Sequence, residues 1–288
     1  MNAEEIEKLI EPFLPEEEGP VKTIAGAMNY SIRVGGKRLR PRMVYEAYRC
    51  FGGEDMGVIA PIMAAVEMIH NYSLCHDDLP AMDNDDYRRG GLTTHRKYGE
   101  AMGILAGDGL QTHAFYTAAK ACEAGAAPET VVRTISILAE KSGIGGMLGG
   151  QAVDVESAEK NIDLYTITFI HKGKTAALIE ASLMMGAVMA NASEENIRLM
   201  EQLGEAVGIA FQIQDDILDV TGNFDELGKP IGSDDKNNKT TYVSLVGLDA
   251  SKSALTELFM KARAIISELG ERADGLSDIL ESLVGRKK

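Results

Sequence analysis

The sequence predicts an all-α protein. Nearly every segment of the 288-residue chain repeats its apolar residues with the helical period, and no strand-like alternation bounded by turn residues is present. Helix punctuation supports the same fold class, because Gly35 and Gly36 fit a helix C-terminus and Pro41 fits the first turn of the next helix. The sequence has neither a low-complexity tract nor an internal repeat, so one domain over residues 1–288 is the simplest organisation.

Further helices follow in order from the helical periodicity. They are predicted around residues 57–78, 103–122, 128–141, 163–190, 194–220 and 251–269. Two stretches lack this periodicity, residues 79–96 and 221–240, and both are polar and charged. Because long loops in a compact domain often carry function, both stretches are candidate binding segments.

The chain is acidic, with 29 Lys and Arg against 44 Asp and Glu and a formal net charge of −15. Nucleic acid is therefore not an expected partner. The three cysteines show no CxxC spacing, which indicates neither a disulfide framework nor a zinc site. The N-terminus lacks a basic segment followed by an apolar run, and the longest apolar stretch, residues 181–190, is about half of a membrane span. We therefore expect a soluble, cytoplasmic protein without a membrane span.

A stripe of polar residues runs along the predicted helix 194–220. Gln212, Asp215, Asp216 and Asp219 follow the spacing i, i+3, i+4, i+7, while the other faces are apolar, which predicts a buried helix. Three aspartates without a basic residue one turn away would repel each other unless a cation lay between them. A solvated helix edge is the alternative, but such edges are usually built from better helix formers than Asp. Mg²⁺ fits the stripe because it takes oxygen ligands and is held by carboxylates together with substrate phosphates.

A second set of aspartates lies within ten residues: Asp77, Asp78, Asp83, Asp85 and Asp86. Asp77 shares a helical face with His70 and Ser73, and Pro80 then ends the regular helix. Asp83 can therefore reach the same site only if the chain curls back after Pro80. His70 is either a contact of this site or an ordinary core histidine.

Basic residues collect in a few places along the chain. They are Lys37, Arg38 and Arg40 after a Gly pair, Arg88 and Arg89, Lys172 and Lys174, and Lys229, Lys236 and Lys239. Arg grips phosphate oxygens with a planar fork, and Lys supplies a point charge. Each cluster alone would usually be solvated surface. Together with the carboxylates and a large apolar interior, they indicate a substrate with a diphosphate head and a hydrocarbon tail, bridged to the acidic protein by Mg²⁺.

Five motifs in this order resemble those of the trans-isoprenyl diphosphate synthases, most closely the bacterial farnesyl diphosphate synthases. The motifs are GGKRLRP at 35–41, DDLPAMD at 77–83 with RRG at 88–90, GKT at 173–175, FQIQDDILD at 211–219 and GKPIGSDDKNNKTTY at 228–242. The resemblance runs from about Val21 to the C-terminus. It implies one helical domain around a deep central cavity, several Mg²⁺ ions and a homodimer.

The resemblance also implies a role for each matching residue. The Mg²⁺ ligands correspond to Asp77, Asp78, Asp83, Asp215, Asp216 and Asp219. Direct contacts of the allylic diphosphate correspond to Arg88, Lys174, Lys229 and Lys239. The pocket for isopentenyl diphosphate corresponds to Lys37, Arg40, His70 and Arg89. Arg38 and Lys236 lie beside the motifs and are assigned no role.

The implied reaction begins with ionisation of the allylic diphosphate to an allylic cation, with metal and basic groups stabilising the departing pyrophosphate. The double bond of isopentenyl diphosphate then attacks C1 of the cation, and a proton is lost, in this family to the released pyrophosphate. Thr175, Gln212 and the backbone carbonyl of Lys174 are similar to the dipoles that steady the cation. Water must be excluded from this step.

Product length is expected to depend on two residues before the first Asp cluster. Tyr72 and Ser73 lie five and four residues before Asp77, about 6–8 Å deeper along the helix. In the family, a bulky aromatic five residues before the first Asp forms the floor of the cavity and stops chain growth at the C15 product, farnesyl diphosphate. Tyr72 could equally be an ordinary core aromatic, and the two interpretations are compatible.

Other functions remain open at this point. A synthase of the same chemistry could stop at geranyl (C10) or geranylgeranyl (C20) diphosphate. A class I terpene cyclase is less favoured, because its second metal motif usually follows an Asn/Ser/Glu pattern rather than DDILD. From a different class, the chain could be a non-catalytic partner subunit or an acidic metal-buffering protein. Degenerate subunits generally lose an Asp-rich motif, whereas both are intact here.

Overall fold

Helices make up nearly all of the regular structure in this computed structural model, which describes residues 1–158, 160–221 and 240–285. Within that part of the chain the strands are β1 (Tyr87–Arg88) and β2 (Gly91–Leu92), which pair antiparallel as a hairpin. The prediction of an all-α protein is therefore confirmed. The sequence did not predict the hairpin, because two-residue strands are too short to show a periodic pattern.

The chain divides into two compact units. The first comprises residues 1–45 and 54–136, and the second comprises residues 46–53 and 137–288. The expectations of one domain over the whole chain and of a central cavity stay predictions.

The first unit contains the helices α1 (Ala3–Ile10), α2 (Lys22–Arg33), most of α3 (Leu39–Cys50), α4 (Met56–Asp77), α5 (Thr94–Tyr98), α6 (Glu100–Ala119) and the first part of α7 (Pro128–Ser142). Of these, α1, α2 and α6 pack against α4. α2 ends just before the Gly35–Gly36 pair, and Pro41 lies in the first turn of α3, as the sequence predicts.

α4 forms the core of the first unit. Asp55 caps its N-terminus by accepting a hydrogen bond from the Gly57 N–H over 2.8 Å. Every residue from Ile59 to Ile69 is buried. α4 packs along α6, where a Cβ at Gly107 would fall 2.1 Å from the ring nitrogen Nε2 of His76, so the glycine leaves room for that ring. This packing fixes the C-terminal end of α4, where the first Asp cluster begins.

The second unit contains the other Asp cluster. Its further helices are α8 (Met147–Glu156), α9 (Leu164–Ile170), α10 (Ala177–Met189), α11 (Glu194–Thr221), α12 (Tyr242–Val246), α13 (Leu248–Leu269) and α14 (Asp274–Val284). A π-helical turn, His171–Ala176, joins α9 to α10 without a break. α11 packs against both α10 and α13.

The predicted helices correspond to α4, α6, α7, the α9–α10 run, α11 and α13, with ends shifted by a few residues. α8 was not predicted, because the glycines between residues 143 and 150 disfavour a helix. The first non-periodic stretch, residues 79–96, holds the β1–β2 hairpin and the start of α5. Residues 222–239 of the second stretch lie outside the described residues.

Among the described helices, α4 is long and apolar enough to cross a membrane by length and composition. However, 78% of its most apolar window is buried inside the protein. A helix that is apolar nearly all round is also the ordinary core helix of a soluble protein, so this feature is weak evidence for a membrane span.

Candidate active site

The first Asp cluster begins at the last residue of α4. Asp77 ends the helix, and the backbone N–H of Asp83 donates a hydrogen bond to the Asp77 carbonyl oxygen over 2.8 Å. The N–H of Asn84 donates to the Leu79 carbonyl oxygen over 3.1 Å. The chain therefore curls back after Pro80, which is the condition that the sequence set for Asp83 to lie near Asp77.

Asp78 is paired with Arg88, which follows the first Asp cluster in the sequence. Arg88 Nε donates to Asp78 Oδ1 over 2.6 Å, and Arg88 Nη2 donates to Asp85 Oδ2 over 3.4 Å. The Asp78 side chain is only 5% exposed. Burial raises the pKa of Asp78, and the guanidinium of Arg88 opposes that shift. The structure thus joins an expected Mg²⁺ ligand to an expected diphosphate contact.

The turn between β1 and β2 holds Arg89 in place. Arg89 (φ 54°) and Gly90 (φ 82°) both adopt the left-handed conformation that makes this turn tight. The hydroxyl of Tyr30 fixes the hairpin by donating to the Leu92 carbonyl oxygen over 2.8 Å. The Arg89 guanidinium then lies on the backbone of Gly36, where a Cβ would fall 2.7 Å from the guanidinium carbon. Glycine is therefore required at position 36 for this contact.

Arg40, His70 and Arg89 form a cationic cluster. Arg89 Nη2 donates to Nε2 of His70 over 3.3 Å. Burial lowers the pKa of His70 well below its ordinary value, and the neighbouring arginines lower it further. Burial also lowers the pKa of Arg89 and brings that of Arg40 to about 10. Since a bound anion would relieve the desolvation and the mutual repulsion of the two arginines, the cluster is a candidate anion site.

One atom of this cluster supports the same assignment. Nε of Arg40 is buried, and it has no hydrogen-bond partner within the part of the chain that the structure describes. Buried donors are nearly always satisfied, so an unsatisfied one at such a site indicates a ligand or water. Lys37, also expected in this pocket, is exposed in the turn before α3.

Tyr72 is a packed aromatic on α4. Its side chain is buried, and its ring meets the ring of His76 edge-on, with the centroids 5.9 Å apart. Burial raises the pKa of Tyr72 to about 12, with a further contribution from Asp77. Ser73 Oγ donates to the His70 carbonyl oxygen over 2.9 Å, so its hydroxyl is bonded within its own helix. Of the two residues expected to determine product length, Tyr72 is thus the one with a large side chain.

The second Asp cluster lies on α11. Asp215 and Asp219 are half-buried and Asp216 is buried, and the apolar faces of the helix are buried as predicted. Asp216 Oδ2 accepts a hydrogen bond from the Tyr242 N–H over 2.7 Å, and it lies 3.9 Å from Nε2 of His171. Like Asp78 in the first cluster, Asp216 is therefore engaged by protein groups.

The π-helical turn presents Lys174 and Thr175. Lys174 Nζ donates to Asp154 Oδ2 over 2.6 Å, and Thr175 Oγ1 donates to Gln212 Oε1 over 2.8 Å. A π-turn holds one residue more than an α-turn, and such turns are frequent at functional sites. The structure brings together Thr175 and Gln212, which the resemblance assigned to the same role.

Asp154, which pairs with the candidate site residue Lys174, was missed by the sequence analysis. It lies on α8, and its carboxylate is the partner of Lys174. A single acidic residue in an unrecognised helix forms no pattern. The available signal was the run of glycines before it, which is typical of a close backbone approach. Indeed, a Cβ at Gly150 would fall 2.1 Å from the backbone nitrogen of Lys174.

Each cluster offers part of a metal-binding shell. Within the described residues, no three Asp, Glu, His or Cys side chains are grouped closely enough to enclose a metal ion. Mg²⁺ is commonly held by one or two carboxylates, while waters and substrate phosphates supply the other ligands. The aspartates of each cluster, Asp77, Asp78 and Asp83 in the first unit and Asp215, Asp216 and Asp219 in the second, could fill that partial role.

Two of the expected diphosphate contacts, Lys229 and Lys239, lie outside the described residues, as does Lys236. Their roles stay predictions. The described part of the chain nevertheless provides a carboxylate set and at least one cationic group in each unit. This chemistry suits the binding of metal-complexed, polyanionic ligands.

Comparison with known proteins gives one consistent family. The sequence model of the Polyprenyl synthetase family matches residues 21–272. The chain is 43% identical over 250 residues to a farnesyl diphosphate synthase of Geobacillus stearothermophilus, covering 87% of this chain and 84% of that protein. It is 40% identical to the farnesyl diphosphate synthase of Micrococcus luteus over 288 residues, covering 100% and 98%. A solved structure of a Helicobacter pylori geranyltransferase, complexed with magnesium and isoprenyl diphosphate, aligns with a TM-score of 0.87 at 31% identity, covering 98% and 95%.

Proposed function

The chain belongs to the polyprenyl synthetase family, and we propose that it is a prenyltransferase that condenses isopentenyl diphosphate with dimethylallyl and geranyl diphosphates to give farnesyl diphosphate. The observation that carries this function is the cationic cluster of Arg40, His70 and Arg89, close in sequence to the carboxylates of Asp77 and Asp83. An enzyme that joins two diphosphates needs a second anion site besides its metal-dependent one. A terpene cyclase, with a single diphosphate substrate, has no use for that cluster.

The roles of the anion-binding residues follow from this proposal. Arg88 and Lys174, together with Lys229 and Lys239, are proposed to contact the allylic diphosphate. Lys37, with the cationic cluster, is proposed to hold isopentenyl diphosphate. In the structure Arg88 and Lys174 are each paired with a carboxylate, Asp78 and Asp154. These partners hold the basic side chains in one orientation before substrate arrives, which lowers the ordering cost of binding.

The donor chemistry of the two Asp clusters fits Mg²⁺, which prefers hard oxygen ligands. We propose all six motif aspartates as the Mg²⁺-binding set. Within it, Asp78 and Asp216 each also accept a short hydrogen bond from the protein, which holds their carboxylates in place. When bound, Mg²⁺ would neutralise charge on the diphosphate and make pyrophosphate a better leaving group.

The reaction is a substitution at C1 of the allylic diphosphate. The C1–O bond breaks, and the electron pair leaves with pyrophosphate, to which Arg88 and Lys174 donate hydrogen bonds. The double bond of isopentenyl diphosphate forms the new C–C bond to C1, and the released pyrophosphate then accepts a proton from the carbon next to the new cation, whose C–H electrons form the new double bond. Thr175 and Gln212 lie together, with the Thr175 hydroxyl donating to the Gln212 carbonyl oxygen. The oxygen dipoles of these two side chains are proposed to stabilise the allylic cation.

The function is tested by incubating the purified protein with Mg²⁺, isopentenyl diphosphate and either dimethylallyl or geranyl diphosphate. We expect release of pyrophosphate and a C15 product, sized by chromatography after dephosphorylation. Chelation of Mg²⁺ with EDTA should abolish turnover, and added Mg²⁺ should restore it. Binding of substrates without turnover in the presence of Mg²⁺ would instead favour the non-catalytic subunit.

Tyr72 is proposed to limit the product to C15. Because its ring fills space against His76, Tyr72→Ala should open space on α4 below Asp77. The variant should yield products of C20 or longer from the same substrates, measured by the same chromatography. Tyr165→Ala is the matched control, since that tyrosine is 79% exposed and its loss should leave the product unchanged. An unaltered C15 product from folded Tyr72→Ala would show that another residue sets the length, and a C10 or C20 product from the wild-type protein would correct the proposed product.

Two further expectations accompany the function. We propose that the protein is a homodimer, which its family membership supports. We also propose that it is cytoplasmic, because most of the apolar window of α4 is buried inside the protein. Light scattering coupled to size-exclusion chromatography measures the oligomeric state directly, and a mass of one chain would contradict the dimer.

A further inference from the structure

A closed ring of hydrogen bonds connects the turn before α3, helix α4 and the β1–β2 turn. The Gly35 carbonyl oxygen accepts hydrogen bonds from Arg38 Nη1, over 3.2 Å, and from Arg89 Nη1. Arg38 Nη1 also donates to Glu67 Oε1 over 2.8 Å, and Asn71 Nδ2 donates to the same oxygen over 3.2 Å. Asn71 Oδ1 closes the ring by accepting from Arg89 Nη1 over 3.5 Å.

The ring is buried and strained at one point. The side chains of Arg38 and Glu67 are 1% and 2% exposed, and Asn71 is buried beside them. Arg38 has a φ of 50°, an uncommon conformation for a residue with a side chain. Such strain persists only where the surroundings hold it in place, and strained residues cluster at functional sites. Here the holding contacts include the Ile32 carbonyl oxygen at 2.5 Å and Glu7 Oε1 at 3.0 Å.

A buried ion pair contributes little to stability, because desolvation offsets its Coulomb attraction. The pair between Arg38 and Glu67 therefore needs another explanation. Glu67 is also the carboxylate whose charge favours the protonated forms of Arg40 and Arg89. It thus offsets part of the repulsion within the cationic cluster when no anion is bound.

The ring also sets the orientation of the Arg89 guanidinium group. One guanidinium nitrogen, Nη1, is held by Gly35 and Asn71, and the other, Nη2, is directed toward His70. An arginine recognises phosphate through the orientation of its planar fork. The direction of this guanidinium therefore decides how well a phosphate group binds to it.

We propose that Arg38, Glu67 and Asn71 are positioning residues for the isopentenyl diphosphate pocket. They touch no substrate themselves, but they fix the Arg89 guanidinium and the turn that carries Lys37. This inference rests on the proposed function. It predicts that damage to the ring weakens the binding of one substrate and spares the other.

The direct test is Asn71→Ala, which removes both ring contacts of that amide. The KM for isopentenyl diphosphate should rise about tenfold, equivalent to about 1.4 kcal/mol of binding. The kcat and the KM for geranyl diphosphate should stay within twofold of wild type. Asn29→Ala is the matched control, because Asn29 is an equally buried amide of the first unit with bonds to Pro15 and Glu17. It should leave both KM values unchanged.

A double-mutant cycle shows whether Asn71 acts through Arg89. If it does, Asn71→Ala combined with Arg89→Ala should raise the KM for isopentenyl diphosphate no further than Arg89→Ala alone. Additive effects would overturn the proposal. So would an unchanged KM in Asn71→Ala, or an equal loss in every kinetic constant. Glu67→Gln, which keeps the shape of the side chain, gives a second variant if Asn71→Ala does not fold.

A binding measurement separates this inference from the proposed function. In EDTA, inorganic pyrophosphate should raise the Tm of the wild-type protein through the cationic cluster, and Asn71→Ala should need about tenfold more pyrophosphate for the same shift. This readout needs no turnover. A wild-type protein that failed to join the substrates would disprove the proposed function, whereas equal pyrophosphate responses in the two proteins would overturn the positioning role.

Discussion

Asp77→Asn and Asp215→Asn should each lower kcat by roughly 10³-fold, because each removes one anionic oxygen ligand from its cluster. Both substitutions preserve the size of the side chain, so the fold should be retained. The two clusters lie on separate elements, the C-terminal end of α4 and the C-terminal part of α11, yet both are proposed to serve the same leaving group. Steady-state kinetics with isopentenyl and geranyl diphosphates measures the loss. The Mg²⁺ concentration for half-maximal rate should rise in any residual activity.

The matched control for Asp77 is Asp86→Asn in the same loop. Asp86 is exposed and pairs with Arg96 over 2.9 Å, and such surface pairs contribute little to stability. This control should keep its kcat within twofold of wild type. Equal rates for Asp77→Asn and the control would remove Asp77 from the metal-binding set. A loss confined to one cluster would show that the other is structural.

Gly150→Ala should displace the π-helical turn His171–Ala176, which carries Lys174. A Cβ at this position would fall 2.1 Å from the backbone nitrogen of Lys174 and 2.6 Å from the carbonyl carbon of Gly173. Backbone atoms cannot rotate away, so α8 and the π-helical turn must separate. We expect a loss of stability of about 1–3 kcal/mol, seen as a lower Tm. We also expect kcat/KM to fall by about 10²-fold, because Lys174 and Thr175 move with the turn.

Gly145→Ala is the control for this substitution. Gly145 lies in the same glycine-rich segment, and a Cβ there would meet no atom within 4 Å. Its Tm and kcat/KM should stay close to those of wild type. If Gly150→Ala behaved in the same way, the close approach of α8 to the turn would not be needed for activity. A lower Tm with normal kcat/KM would show that the close approach of α8 to the turn contributes to stability but not to activity.

Local patterns in the sequence predicted much of this protein. The helical period identified α4, α6, α7 and α11, since each has an apolar face or is apolar nearly all round. Helix α8 was not predicted, because its glycines serve a backbone contact rather than helix formation. The hairpin that holds Arg89 was also missed, because it depends on a turn and on Tyr30 rather than on strand periodicity.

The sequence alone determined the chemistry that the chain can offer: carboxylates for Mg²⁺, basic groups for diphosphates and an aromatic before the first cluster. Tertiary structure decided which of these groups are paired with one another. Arg88 with Asp78, Lys174 with Asp154, and the ring that joins Arg38, Glu67, Asn71 and Arg89 are examples. The reason is physical. Composition and periodicity report what each helix must bury, whereas these hydrogen bonds join residues up to 54 positions apart and form only when the helices pack.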